Sequence, residues 1–132
     1  MNSVAQDIKD MLEAESSLGL TLATDLFVGR EPAEPNDCVT IFDTPGGAPI
    51  ATLEGGNDNY YYSAAQIRVR NTSYTAAWAL MNEIRDSLHG RANETWNGTL
   101  YTVILAANDP FILDWDENQR IRLIVNFNLQ RR

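Results

Sequence analysis

The order of apolar and polar positions along the chain predicts its elements before any chemistry is considered. Val4, Ile8, Met11 and Leu12 recur at helical spacing, with Asp7, Asp10 and Glu13 on the other side. Ser3 and Gln6 precede them with the spacing of a capping box, and Gly19 closes the pattern. From Leu20 to Val28 the period changes to two, which predicts a strand. Gly29–Asp37 is an acidic connector whose two prolines remove backbone donors. A short strand follows at Val39–Phe42.

Pro45-Gly46-Gly47 then marks a turn, and a polar stretch runs through Glu54 to Asn59. Tyr60-Tyr61-Tyr62 leads into a strand through Arg70, with Ile67 and Val69 on one face and Gln66, Arg68 and Arg70 on the other. A second helix is predicted over Thr72–His89. Its stripe is Tyr74, Ala77, Trp78, Met81, Ile84 and Leu88, and Gly90 is placed to end it. Three strands complete the chain at Leu100–Ala106, Phe111–Trp115 and Arg120–Leu129, the last two joined by a polar turn at Asp116–Gln119. In the last strand Ile121, Leu123, Val125, Phe127 and Leu129 share one parity, the mark of a half-buried antiparallel strand. The whole order predicts one α+β domain over residues 1–132, a mainly antiparallel sheet packed against two helices.

A chain of 132 residues supports such a core without disulfides or a structural metal. The formal net charge of −8 excludes an overall basic field for a polyanion. The charge is uneven. Residues 1–66 hold eleven acids against Lys9 and Arg30, whereas residues 67–132 hold eight arginines against seven acids. Cys38 is the sole cysteine, so it forms no internal disulfide, and its apolar surroundings predict a buried, inert thiol. No apolar run reaches the ~18 residues that span a membrane. The first residues lack the pattern of a secretory signal, so the protein is expected to be made and used inside a cell, and the Asn-x-Thr/Ser triplets at Asn71, Asn93 and Asn97 carry no weight as glycan acceptors.

Candidate chemistry is sparse. His89 is the only histidine, at the end of the second helix, where a capping role suits it better than a catalytic one. The carboxylates of Asp114, Asp116 and Glu117 gather at a turn without the glycine and ligand spacing of a calcium loop. The glycines at 46, 47, 55 and 56 match no phosphate-binding loop. No catalytic residue, metal ligand or cofactor is expected. Arg68, Arg70, Arg120 and Arg122 occupy alternate strand positions, so neighbouring strands would put four guanidinium groups on one face. Two readings are open for them: pairing with acids of the same chain, or contact with an acidic neighbouring subunit or passing nucleic acid.

An ordered set of segments resembles a family of small phage proteins. It comprises Cys38–Gly47, Gln66–Arg70, Tyr74, Leu88-His89-Gly90, the Asp116…Arg120 turn and Val125–Leu129. In order and spacing these cover about residues 3–130. The family is that of the minor capsid or tail-terminator proteins of long-tailed phages. The resemblance implies an α+β subunit in a homo-oligomeric, hexameric ring that caps the tail tube, halts its growth and faces the head connector. It implies no enzyme activity and no cofactor. Partners would be the chain itself, the major tail-tube protein and head connector proteins, with a transient contact to passing DNA and none to membranes. Its place would be the head–tail junction of the virion, after assembly in the host cytoplasm.

Contact residues follow from the local reading: Asp43, Thr44, Pro45, Gly46 and Gly47 in the Asp43–Pro49 loop, which is expected to project from the sheet into a neighbour or the tail tube, and Arg68, Arg70, Arg120 and Arg122 on the sheet. The alternatives are a head-completion or connector-stopper protein, which shares the joining role, and a small-molecule-binding domain using Tyr60–Tyr62, Trp78 and Trp96.

Overall fold

A computed structural model of the chain describes residues 1–51 and 59–132. Glu54–Asp58, Gly55 and Gly56 among them, lie outside the described residues, in the polar stretch for which the sequence suggests no family counterpart. Helix α1 (Val4–Ala14) starts at the expected capping box: Ser3 Oγ accepts from Gln6 N–H at 3.2 Å, and Gln6 Oε1 accepts from Ser3 N–H at 2.9 Å. Strand β1 covers only Leu26–Val28. The predicted start of that strand is instead a closed turn. Thr21 O accepts from the N–H groups of Thr24, Asp25 and Leu26, and Asp25 Oδ1 accepts from Thr21 N–H. Short polar side chains that bond their own backbone displace strand pairing in this way.

Strand β2 (Cys38–Thr44) precedes a two-residue strand β3 (Ile50–Ala51) and the long β4 (Asn59–Asn71). Helix α2 (Tyr74–Leu88) is capped by Ser73, whose Oγ accepts from Ala76 N–H. It is followed by β5 (Ala92–Trp96), β6 (Thr99–Ala106), β7 (Phe111–Trp115) and β8 (Ile121–Arg131). The sequence reading missed β5. Its residues, Ala-Asn-Glu-Thr-Trp, lack an apolar alternation, and the Asn97-Gly98 turn that joins it to β6 was the available signal. Both residues have positive φ (50° and 80°), as the tightest hairpin turns require.

The eight strands of the described residues form one sheet, with the path β1-β2-β4-β8-β6-β5, β3 pairing with β4 and β7 with β8. Among these strand pairs only β1–β2 is parallel. Strand β8 is the axis. One side pairs with β4 along its whole length, from Ile121↔Asn71 to Arg131↔Tyr61. The other side is shared by β7 near its start and β6 near its end. Asn108 bridges the break between them, its Oδ1 accepting from Asn126 N–H at 3.0 Å.

Both helices cover one face of this sheet. Ile8, Met11 and Leu12 of α1 and Ala77, Met81, Ile84 and Leu88 of α2 join Ile67, Val69, Leu123, Val125 and Phe127 in one buried cluster. The predicted α+β class is the observed one. Two parts of the helical stripes depart from expectation. Tyr74 and Trp78 lie exposed and stack on each other. Asp7, read as solvent-facing, is fully buried: it accepts from the Tyr101 hydroxyl and, at 2.8 Å, from Asn97 Nδ2. A carboxylate inside the core is tolerable because both donors face it.

Candidate functional site

The face of the sheet opposite the helices carries the predicted arginines. Pairing of β4 with β8 sets Arg70 across from Arg122 and Arg68 across from Ile124, and Arg120 lies two residues before Arg122, immediately ahead of β8. The strands are neighbours, so the four side chains are brought together. They are not left open. The Gly29–Asp37 connector crosses this face, and Glu31 is the hub.

Glu31 Oε2 accepts from Arg68 at 3.1 Å and from Arg122 at 3.3 Å, and Arg70 lies 3.5 Å from Oε1. Arg70 also donates to the carbonyls of Pro35 (2.7 Å) and Asn36 (3.3 Å). Arg120 donates to Ala33 O at 2.6 Å and to Asp116 Oδ2 at 2.8 Å. Arg122 makes a two-toothed pair with Asp114, the geometry guanidinium groups favour with carboxylates. Arg68 also lies 4.8 Å over the Phe42 ring, a cation–π contact.

Burial separates the four. Arg70 and Arg120 are 4% exposed, whereas about a quarter of Arg122 and a fifth of Arg68 face solvent. Of the two readings the sequence left open, the structure displays intramolecular pairing: the arginines clamp the acidic connector to the sheet. The Arg122 guanidinium holds Asp114 below the ordinary carboxylate value. Burial pushes Asp116 upward, but hydrogen bonds from Arg120 and from Asn118 N–H outweigh it and leave it lowered.

Asp43–Gly47 closes β2 and stays on the sheet through Gly47. Asp43 Oδ1 accepts from Ala5 N–H at 2.9 Å, which satisfies one free donor at the start of α1. Gly47 N–H donates to Tyr62 O at 2.8 Å. A Cβ on Gly46 would fall 2.2 Å from that same carbonyl oxygen, so glycine is required by close backbone approach. Gly46→Ala therefore costs about 2 kcal/mol of stability by overpacking, measurable as a lowered urea midpoint. An unchanged midpoint would refute the approach. Beyond Gly47, Ile50 pairs with Tyr60 and Ala51 with Asn59, so β3 and the start of β4 form an arm past the end of β2. On either side of Gly46-Gly47 lies an open cleft of about 300 Å³, one bordered by Ser3, Asp43 and Arg131, the other by Val103, Leu105 and Asn128.

The remaining candidates are structural in their contacts. His89 caps α2, and its Nδ1 accepts from Ala106 N–H at 2.9 Å. Trp96 Nε1–H donates to Glu94, Trp78 stacks on Tyr74, and neither lines the two clefts that Tyr61 and Tyr62 border. Among the described residues no group of His, Cys, Asp or Glu could hold a metal ion, and no helix is long and apolar enough to cross a membrane. Cys38 is buried, and that burial pushes its thiol up. A thiol reagent at pH 8 is expected to label it only at the rate of unfolding; immediate labelling of the native protein would contradict its burial.

What the sequence reading missed lies at the edges of the sheet. Phe111, Ile112, Leu113 and Trp115 of β7 are all more than 40% exposed, although the strand is apolar at every position but Asp114. A strand with four apolar residues and Asp114 has no polar face, and that was the readable signal.

Comparison with known proteins agrees with the fold. No curated protein sequence matches the chain. Among solved structures, a chain of the "Virion of native gene transfer agent (GTA) particle" superposes with a TM-score of 0.70 at 13% identity. That likeness covers 98% of this chain and 94% of the other. A second solved structure matches with a TM-score of 0.57 at 10% identity, covering 98% and 91%. The family described as "Bacteriophage tail terminator protein" matches residues 4–132. With a match over nearly its whole length, the chain belongs to the bacteriophage tail terminator family and has a structural role in tail completion.

Proposed function

We propose that the chain assembles with copies of itself into a ring that ends a phage tail tube and joins it to the head connector. The observation that carries this reading is the family match over residues 4–132. On this reading the protein acts as a single domain, is not an enzyme and needs no cofactor. It works at the head–tail junction of the virion, between the tail-tube protein and the connector.

Two features of the molecule support it. A ring requires unlike surfaces on the two sides of each subunit, and the two edges of this sheet differ: β1 is short and flanked by a turn, whereas β7 is apolar and exposed. Arg68, Arg70, Arg120 and Arg122 are paired with Glu31, Asp114 and Asp116. With a net charge of −8, such a ring holds no basic coat to retain DNA and lets it pass.

Contacts fall in two groups. Asp43–Gly47 meets a neighbour or the tube from its place on the sheet, and the β3–β4 arm beyond it reaches toward the same partner. Arg68 and Arg122 keep part of their surface for a partner, while Arg70 and Arg120 support them from beneath. The test is to add the purified chain to unfinished tails and image their ends. Ring-shaped density at one end is expected; bare ends at saturating protein would overturn the proposal.

A further inference from the structure

The two edges of the sheet carry complementary surfaces. On one side, β7 presents Phe111, Ile112, Leu113 and Trp115 to solvent. No basic residue occurs from 107 to 119, and Glu117 in the following turn is exposed with no ion pair among the described residues. On the other side, β1 borders an open groove of about 640 Å³ lined by Leu22, Phe27, Val28, Pro32 and Arg30. Arg30 is exposed. Every other arginine makes a hydrogen bond or an ion pair, and Arg30 makes neither among the described residues.

The positions of these surfaces matter as much as their chemistry. A continuous row of strand partners runs Leu26–Val39–Val69–Leu123–Ile112, so groove and strand stand at one level on opposite edges of the sheet. One chain can use both at once without interference. A contact of this kind is heterologous and repeats from copy to copy, closing into a ring when the rotation per step allows.

We infer that the occupant of the Leu22–Ala33 groove is β7 of a second copy of this chain, with Trp115 as its apolar anchor and Arg30 paired to the partner's Glu117. An exposed apolar edge strand is a hazard unless something covers it. Here the same molecule offers an apolar groove, with a cation unpaired among the described residues for the acid beside the strand. This rests on the ring reading above and names the surfaces that build the ring.

The experiment compares the full chain with Arg30→Glu, Glu117→Arg, the double exchange and Trp115→Ala. Association is followed by sedimentation up to hundreds of micromolar and by capping of unfinished tails. All three substituted positions are exposed, and circular dichroism checks that each of the four variants folds. Trp115→Ala is expected to weaken association roughly thirtyfold, the loss of one central anchor. Each charge reversal is expected to weaken it about tenfold, and the double exchange to restore it. Reversals that associate and cap like the parent overturn the contact and leave the terminator reading standing. A parent chain that neither associates nor caps overturns both. Association that follows the exchange pattern without arresting tails upholds the contact and removes the terminator reading.

Discussion

Glu31→Ala is expected to destabilise the protein by about 4 kcal/mol, the cost of leaving buried cations without their shared partner. Glu31 is 10% exposed and touches Arg68, Arg122 and the almost fully buried Arg70. Its removal frees the connector as well, because Gly29–Asp37 is held on the sheet chiefly by these arginines. Arg70 and Arg120 would keep the carbonyls of Pro35, Asn36 and Ala33, which limits the loss. Glu31→Gln keeps an acceptor for Arg68 and Arg122 but no charge, so about half the effect is expected. Chemical denaturation of the three proteins measures this. A change below about 1 kcal/mol for Glu31→Ala would place the pair among surface bridges of little consequence. The clamp also decides how the arginines are to be probed. Replacing Arg70 or Arg120 disturbs folding first, so a defect in assembly is informative only for Arg68 and Arg122.

Asp7→Ala is the second large effect, expected near 3 kcal/mol. The side chain is fully buried in the first turn of α1 and ties that helix to the Asn97-Gly98 turn and to Tyr101 on β6. Truncation leaves the Tyr101 hydroxyl buried without its acceptor, and each such group costs ~1–3 kcal/mol. The Asn97 amide retains Asp10 Oδ2 at 2.8 Å, which keeps the loss from being larger. Burial, followed by the hydrogen bond to Asp7, raises the Tyr101 hydroxyl well above its ordinary value. The variant should therefore show a lowered melting temperature together with an altered near-ultraviolet tyrosine signal. Wild-type stability in Asp7→Ala would mean that the contact contributes no net energy.

The parts of the fold legible in the sequence are those fixed by local pattern. The β8 alternation places Ile121, Leu123, Val125, Phe127 and Leu129 correctly, because each residue's face depends only on parity. The α1 capping box and the Gly90 stop just past α2 are equally local. The Arg68/Arg70 and Arg120/Arg122 rows could be read as one face, since the pleat dictates it. What they touch could not. Glu31 stands 37 residues from Arg68 and 91 from Arg122 along the chain, and only the path of the connector across the sheet brings them together. Asp7 misled for the same reason: a charge on a helix is taken for its wet side until a hydroxyl 94 residues away is seen to face it. The contact loop was only partly legible. Pro45-Gly46-Gly47 announces a turn, but the close approach to Tyr62 that keeps it on β4 is a tertiary fact.

The central claim, that this chain ends tail growth, is tested most directly by tail length. Electron micrographs of particles assembled without the chain should show headless tails of broad and excessive length, returned to one length when the chain is supplied. Tails of normal, uniform length joined to heads in its absence would contradict the account.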